Sequence, residues 1–345
     1  MSTGAGRRRA TIHDVAREAG VSITTVSHSL NGKGVVADAT RQRVVDVAAT
    51  LGYSADAIAR GLRSNRLGVL GLVIRPLDSL DSYQPEGVDY FMRFAGAAAV
   101  EALDRGFGLM LVRDPTTSET PGITLAVDGF IISDPLANDP VITLLNRNGI
   151  PLVAVDRDVE RPDFTDWVRS DLAGGANAVI THLVDRGARR IALITGTDAN
   201  AWNTDNESRY REWADRNGQT ASVYHQDERT GEAGGREAAE ALLAAGEPVP
   251  DAIYCLTGRH AAGVQSRLQE AGYAVPGDVM IVAGSDSEQT RNAAPPITSV
   301  DLTPELTARA AVDFLLRRLA GDTESAPPAV ENVLRVREST NRHPR

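Results

Sequence analysis

The sequence predicts two parts of different fold class: an all-α head with a helix-turn-helix, and an α/β body of two lobes built on doubly wound parallel sheets. Three observations support this division. Residues 11–32 contain two short helical patterns around a glycine, residues 67–345 alternate apolar runs with helical segments, and positive charge is concentrated before residue 67. A chain of 345 residues is long enough for two or three domains.

The first two helices are predicted from their end signals. Thr11 is a good N-cap, and Asp14 places a carboxylate in the first turn, where the helix dipole favours negative charge. Gly20 ends the first helix because glycine adopts a positive φ without a Cβ penalty. Ser22 then caps a second helix over residues 23–30. Together these signals predict a helix-turn-helix.

The second helix has two faces with different environments. Val26 and Leu30 are four residues apart and point inward. The outer face, where we expect DNA, carries Ile23, Thr24, Thr25, Ser27 and His28. A third helix over residues 38–51, with an apolar stripe of Val44, Val47, Ala48 and Leu51, completes a head that spans residues 1–52. Because any amphipathic helical pair can show this pattern, the interpretation depends on the rest of the chain.

Charge separates the head from the body. Residues 1–66 hold ten basic and five acidic residues, a formal charge of +5, whereas the remainder holds 26 basic and 41 acidic residues, a formal charge of −15. A basic head on an acidic body concentrates polyanion binding at one end of the protein. The overall pI of about 5.2 therefore does not exclude DNA as a partner.

Residues 53–66 form the connection between the two parts. Apolar residues around Ile58 and Leu62 are sufficient for about two helical turns, which are marginal in water without a partner. We expect a hinge helix that orders only against a partner or DNA, with Leu62 as a wedge in a minor-groove base step. By composition alone, an ordinary linker is an equal alternative.

The body contains continuous apolar runs rather than alternating ones, which is typical of parallel strands buried on both faces. The seven runs are residues 68–74, 107–112, 129–132, 151–155, 190–194, 252–256 and 279–283, and segments such as 95–105, 172–186 and 260–271 are predicted to be crossover helices. We expect lobe 1 over about 67–165 and 298–325, and lobe 2 over about 166–297 and 326–345. A ligand cleft is expected between them, at the carboxyl ends of the strands.

The head and linker resemble the lactose/galactose repressor family of bacterial transcription regulators. That family begins with T-x-x-D-V-A-x-x-A-G-V-S-x-x-T-V-S-x-x-L-N, and this chain matches the motif at every specified position from Thr11 to Asn31. The body is similar, through looser motifs, to the periplasmic-binding-protein-like fold of the same family. The resemblance therefore extends to essentially the whole chain.

The resemblance implies roles for the head residues. Base-reading positions correspond to Ile23, Thr24 and His28, phosphate contacts to Ser22, Thr25, Ser27 and Asn31, and the minor-groove wedge to Leu62. The chain departs from the family at Ala37, where serine usually caps the third helix, and at Ala55, where proline is frequent. Asp38 and Asp56 are expected to replace these caps. Since His28 stands where arginine is more common, the preferred operator cannot be copied from relatives.

Candidate ligand contacts follow the strand ends: Asp156, Arg157, Asp171, Trp202, Asp205 and Asp286. Hydrogen-bonding charged groups and a stacking ring suit a small polar ligand such as a sugar. Each of these residues has the alternative of a solvated loop position or a helix cap. At three positions where the family commonly contacts sugars, this chain has Thr204, Thr257 with Gly258, and Ser285, so we expect a different ligand or binding geometry.

Enzyme and membrane classes find little support in the sequence. No phosphate-binding, nucleophile-elbow or zinc-protease motif is present and the six histidines are dispersed, so we expect no catalytic residues, no metal site and no cofactor. No apolar run approaches the roughly 18 residues of a membrane helix, and residues 1–11 lack the apolar core of a secretory signal. We expect a cytoplasmic protein with Cys255 buried in a strand.

These observations favour a ligand-responsive transcription regulator, specifically a repressor. Because one head buries too little surface for tight specific binding, we expect a homodimer that reads both halves of a near-palindromic double-stranded operator. Release of DNA by the effector is favoured, although no motif encodes its direction or separates dimer from tetramer. The alternative is a small-molecule (solute) binding protein without a gene-regulatory role, which would share the body but would require export and would lack the head.

Overall fold

The computed structural model describes residues 10–30, 34–53, 67–74, 89–116, 125–246 and 248–342. Two compact units are present, Met1–Gly68 and Val69–Arg345. The first contains helices and the second contains helices and parallel sheets, so the predicted fold classes are confirmed. The predictions for Asn31, Leu62 and most of the hinge segment concern residues outside the described ranges.

The head consists of α1 (Ile12–Ala19), α2 (Ile23–Leu30) and α3 (Asp38–Thr50). Helix α1 begins with a capping box: the Thr11 backbone N–H donates to Asp14 Oδ2 at 2.9 Å, and the Asp14 N–H donates to Thr11 Oγ1 at 3.4 Å. Gly20 ends α1 with φ of 65°, as predicted. The predicted cap at Asp38 is wrong, because Ala37 precedes α3 without a side-chain cap and Asp38 is already helical.

The three helices pack around one small core. Its buried members are Val15, Ala16, Ala19, Val26, Val44 and Ala48, with Ile12, Val21, Leu30, Val47 and Tyr53 packed against them. Leu51, predicted on the apolar stripe of α3, is instead 37% exposed. The helix ends at Thr50, so the helical periodicity no longer directs Leu51 inward, and Tyr53 contacts the core instead.

Lobe 1 is organised on a six-stranded sheet in which every neighbouring pair is parallel. From edge to edge its strands are β11 (Ala329–Val330), β5 (Trp167–Ser170), β4 (Leu152–Val155), β3 (Gly129–Ser133), β1 (Val69–Ile74) and β2 (Gly108–Val112).

Lobe 2 is organised on a second six-stranded sheet. Its order is β12 (Val333–Arg335), β10 (Thr298–Asp301), β9 (Met280–Ala283), β8 (Ala252–Cys255), β6 (Ile191–Thr195) and β7 (Ser222–His225). All neighbours are parallel except β10 and β12, which are antiparallel. Cys255 is fully buried in β8, as expected for a strand residue.

The chain crosses between lobes at positions different from the predicted boundaries. Strand β5 pairs with β4 and so belongs to lobe 1, not to lobe 2. Strand β10 pairs with β9 in lobe 2 instead of returning to lobe 1, and β11 pairs with β5 in lobe 1 instead of lobe 2. These strands have two to four residues, so their lobe is decided by long-range pairing and not by local pattern.

Helices cover both faces of each sheet, which is the doubly wound arrangement that was predicted. They are α4 (Asp89–Asp104), α5 (Pro140–Arg147), α6 (Leu172–Asp185), α7 (Ala201–Arg216), α8 (Gly231–Ala244), α9 (Gly258–Glu270), α10 (Glu288–Asn292) and α11 (Pro304–Leu319). Although it follows a lobe 2 strand, α11 packs against α4 and the core of lobe 1. All seven predicted strands are present; β7 was not predicted because its residues are only partly buried at a sheet edge.

The packing of α11 predicts a stability difference between two leucines of one helix. Leu315 is fully buried in the lobe 1 core, whereas Leu306 is 53% exposed. We expect Leu315→Ala to lower the free energy of unfolding by about 2–5 kcal/mol and Leu306→Ala to change it by less than about 0.5 kcal/mol. Denaturant unfolding of both variants measures the difference. Equal effects would contradict the assignment of α11 to this core.

Candidate functional site

The outer face of α2 is the candidate DNA interface. Ile23 is 42% exposed, Thr24 is exposed, and His28 is partly exposed in the last turn. Ser22 caps the helix by accepting the Thr25 backbone N–H at 3.1 Å, and the two hydroxyl oxygens are 2.8 Å apart. Val26 and Ser29 are buried on the opposite side. The helix therefore offers an isoleucine, hydroxyls and an imidazole on one accessible face, a composition suited to groove edges and phosphates.

The carboxyl end of α2 is held by the third helix. Arg41 of α3 donates from Nη1 to the Ser29 carbonyl at 3.1 Å and to the His28 carbonyl at 3.4 Å. These carbonyls belong to the last turn of α2, where intrahelical partners are lacking and a cation is favourable. The backbone of the helix is thereby fixed relative to the head core at the end that carries His28.

The two lobes of the body meet through polar contacts at the carboxyl ends of their strands. Arg157, which follows β4, forms an ion pair with Asp205 of α7. Asn200 donates from Nδ2 to Asp134 Oδ2 at 2.9 Å and forms an isolated antiparallel bridge with Leu136. The structure thus brings together two predicted cleft residues, Arg157 and Asp205, from opposite lobes.

A third contact between the lobes involves Asp286. Arg291 donates to Asp286 at 2.7 Å and to Asp89, the first residue of α4, at 2.8 Å. Burial alone would raise the pKa of Asp286, but hydrogen bonds from Ser299, Arg291 and Arg337 hold it below its usual range. Asp286 is therefore an ionised anchor that orients Arg291 toward lobe 1.

Two carboxylates lie at adjacent strand ends of lobe 1 on left-handed backbone. Asp134 follows β3 with φ of 57°, and Asp156 follows β4 with φ of 64°. Non-glycine residues adopt this conformation at a cost of about 1–3 kcal/mol, and such residues concentrate at functional sites. Asp156 is 8% exposed and accepts the Ser170 N–H at 2.8 Å.

At these strand ends the protonated, neutral form of Asp156 is more favoured than it is for an aspartate in water. Burial raises the pKa of Asp156 to about 6, opposed by hydrogen bonds from Ser170. Tyr90 of α4 lies close enough to Asp156 and Asp134 that both carboxylates add to the effect of burial, which raises the pKa of its phenol. A buried carboxyl group beside a phenol offers both donors and acceptors to a small hydroxylated ligand.

The remaining predicted cleft residues have mixed placements. Trp202 packs against the lobe 2 core beside Gly284, where an added Cβ would lie 3.2 Å from the indole Cζ2. Asp171 is exposed and caps α6 by accepting the Gly174 N–H at 3.0 Å, so the structure gives it the cap role. Tyr210 is fully buried and Trp213 packs against the same core.

Several residues at the lobe boundary were missed from sequence. Asp134 directly follows β3, and the strand-end rule that selected Asp156 would have selected it as well. Asn200 is visible only as the cap of α7, and Tyr90 and Asp89 carry no local signal because α4 begins six residues before its predicted start. Their contacts depend on pairings across distant parts of the chain.

Neither a metal site nor a membrane-spanning helix is found among the described residues. Within those ranges, no group of three histidine, cysteine or acidic side chains is arranged to hold a metal ion. No helix in the part of the chain that the structure describes is long and apolar enough to span a bilayer.

Family models match both parts of the chain. Residues 11–56 match the model described as bacterial regulatory proteins, lacI family, and residues 180–340 match the periplasmic binding protein-like domain. Among solved structures, a transcriptional regulator CelR–cellobiose complex covers 96% of this chain and 100% of its own, with 28% identity and a TM-score of 0.69. A lac repressor dimer bound to operator and the anti-inducer ONPF covers 96% of this chain and 99% of its own, with 22% identity and a TM-score of 0.82. This similarity supports the fold.

Curated relatives match over nearly their full length. The HTH-type transcriptional regulator CelR of Thermobifida fusca is 30% identical over 342 residues, covering 96% of this chain and 99% of the relative. The HTH-type transcriptional repressor PurR of Mannheimia succiniciproducens is 30% identical over 322 residues, covering 90% and 92%. This chain therefore belongs to the LacI family of bacterial regulatory proteins and is a DNA-binding transcription regulator.

Proposed function

We propose that the protein is a homodimeric repressor inside the bacterial cell, without enzymatic activity, whose operator binding is controlled by a small polar effector between the lobes of its body. One observation carries this proposal: an accessible recognition helix and a two-lobed body with convergent polar groups occur in the same chain. A solute-binding protein would account for the body but would leave the helix-turn-helix without a role.

DNA recognition is assigned to residues of the head (1–52) and hinge (53–66). Ile23, Thr24 and His28 read bases, Ser22, Thr25, Ser27 and Asn31 contact phosphates, and Leu62 enters the minor groove. The exposure of Ile23 supports this assignment, since an apolar side chain at 42% exposure gains by contact with a thymine methyl or sugar edge. The capped Ser22 N-terminus of α2 supports phosphate contacts there.

Effector binding is assigned to the polar groups at the lobe boundary, above all Asp156, Arg157, Asp205 and the missed Tyr90 and Asp134. CelR, a relative of this chain, has been solved with cellobiose, which supports a sugar or related polyhydroxylated compound. The two aspartates on left-handed backbone, Asp134 and Asp156, support the same region, because such backbone conformations concentrate at functional sites. Asp286 takes part through Arg291, and Trp202 forms the lobe 2 side.

Dimerisation is assigned to a surface that begins on α4. Its stripe consists of Met92, Gly96, Val100 and Leu103; Val100 and Leu103 are 60% and 66% exposed, and Leu111 of the edge strand β2 is 51% exposed. This apolar exposure is expensive in water and suits a second copy of the chain.

Lobe 2 adds a polar part to the same surface. A hollow of about 430 Å³ lies between α9 and α10. The amide oxygens of Gln265 and Gln289 at its wall are buried, and neither has a hydrogen-bond partner among the residues that the structure describes. The Arg291–Asp89 contact joins α10 to the start of α4. We propose that this hollow, which lies near the start of α4, extends the interface with the partner subunit.

The effector acts through the relative position of the lobes. We expect binding to change the contacts Arg157–Asp205, Asn200–Asp134 and Arg291–Asp89, and thereby to turn the first lobes of the dimer against each other and separate the hinge helices. Because a short hinge helix is marginally stable, a coupling free energy of about 1–3 kcal/mol is sufficient to change its population substantially.

The function is tested by selection of binding sites from random duplex DNA with the full-length protein. We expect a near-palindromic consensus, and substitution of Ile23, Thr24 or His28 by alanine should cost about 1–3 kcal/mol of discrimination at particular base pairs. Absence of any sequence preference would contradict the proposal.

Asp156→Asn tests the cost of the buried carboxyl group. Because folding raises the pKa of Asp156, its contribution to stability is present below its unfolded pKa near 4 and is lost as pH rises through about 6. We expect the variant to be more stable than the native protein at pH 7.5, by on the order of 2 kcal/mol, with the advantage fading toward pH 4.

Thermal unfolding across this pH range measures the effect. The melting temperatures of the native protein and of Asp156→Asn are then measured with a panel of cellobiose, sugar acids and nucleosides. The comparison shows whether the variant that gains stability also loses the stabilisation by ligand. Asp171→Asn is the matched control, since asparagine caps α6 equally well. A native-like pH profile for Asp156→Asn would rule out the proposed protonation behaviour.

Val100→Glu in α4 tests the dimer surface. We expect a charged side chain at this position to convert the dimer to a monomer and to lower operator affinity at least tenfold, because each monomer carries one head. Light scattering and operator titration measure both quantities. Val184→Glu, at a 42% exposed position on α6, is the control; a dimer that survives Val100→Glu would exclude this surface.

A further inference from the structure

The imidazole of His28 lies directly over Gly34. A Cβ atom added to Gly34 would lie 2.5 Å from His28 Nδ1, 3.1 Å from Cε1 and 3.2 Å from Cγ. The distance of 2.5 Å is shorter than real contacts of a Cβ atom, so the His28 ring would have to move if residue 34 carried a β-carbon. Gly34 also has φ of +70°, a conformation that glycine adopts without penalty.

His28 is thus restrained at both ends. Arg41 donates to the His28 backbone carbonyl and to that of Ser29, and the His28 ring occupies the space that a β-carbon at residue 34 would need. Neither restraint comes from a residue of the outer face of the recognition helix.

We infer that Gly34 is a specificity-determining residue that acts by positioning the His28 ring for base reading. The inference rests on the base-reading role of His28 given under Proposed function. Base discrimination by a side chain requires donor–acceptor distances near 2.7–3.2 Å and good angles, so a ring displaced by a fraction of an ångström reads a different pattern or none. Since the ring is the free end of a side chain, a methyl group at Gly34 moves the ring and leaves the head fold intact.

Gly34 has two possible roles: it adopts a positive φ, and it leaves space for the His28 ring. A comparison with Gly52 separates these two roles. Gly52 has φ of +63°, nearly the same backbone conformation, but among the described residues, its two chain neighbours aside, nothing lies within 4 Å of a Cβ added there. Gly34→Ala and Gly52→Ala therefore share the cost of placing a β-carbon on left-handed backbone, whereas only Gly34→Ala displaces His28.

The experiment is binding-site selection with the full-length protein and four variants: Gly34→Ala, Gly52→Ala, His28→Ala and the double variant Gly34→Ala/His28→Ala. We expect Gly34→Ala to alter base preference at the operator position that His28→Ala alters, with roughly tenfold loss of discrimination there. Gly52→Ala should keep the native base preference, with a melting temperature similar to that of Gly34→Ala. The double variant should have the same base preference as His28→Ala.

Each outcome is decisive for one claim. If His28→Ala changes the preference and Gly34→Ala does not, the positioning role of Gly34 is refuted and the base-reading role of His28 stands. If His28→Ala changes nothing, the proposed base-reading role is refuted and the inference with it. Should Gly34→Ala unfold the head, Gly34→Asn and Gly52→Asn repeat the comparison, because asparagine tolerates positive φ and still places a β-carbon under the ring.

Discussion

The relative position of the two lobes depends on polar contacts at the carboxyl ends of their strands. Parallel strands covered by helices on both faces bury almost everything except their ends, so the carboxyl edge is where charged side chains of the two sheets meet. Arg157–Asp205, Asn200–Asp134 and Arg291–Asp89 all lie there. Partly exposed ion pairs contribute about 0–1 kcal/mol each, so a small ligand has enough differential affinity to change the balance among them.

The region around these contacts is costly for the folded state. Two aspartates on left-handed backbone, a carboxyl group whose burial raises its pKa to about 6 and a phenol beside both occupy one end of the lobe 1 sheet. The strands that lead to these residues, β3 and β4, are buried along their whole length, and their packing in the lobe 1 cores offsets this cost. A similar division holds in the head, where a compact core supports an outer helix face with an exposed isoleucine.

Local signals in the sequence were sufficient for the head and for most strands. The Thr11 cap, the left-handed Gly20 and the spacing of Val15, Ala16 and Val26 act within a few residues, so they can be read without knowledge of the fold. Prediction was wrong where partners are distant: β5, β10 and β11 have too few residues to show a period, and their lobes follow from pairing. In the cleft, sequence selected Arg157 and Asp205 but not Tyr90 or Asn200, whose positions depend on packing across the lobes.

Coupling between the effector site and the operator site is measured most directly as reciprocity of the two binding equilibria. With a compound that raises the melting temperature of the protein and an operator obtained by selection, the affinity of the compound is measured in the absence and presence of the operator duplex. If the contacts between the lobes couple the two sites, operator DNA weakens effector binding by the same factor by which the effector weakens operator binding. Equal affinity of the compound for the free and the DNA-bound protein would contradict the account.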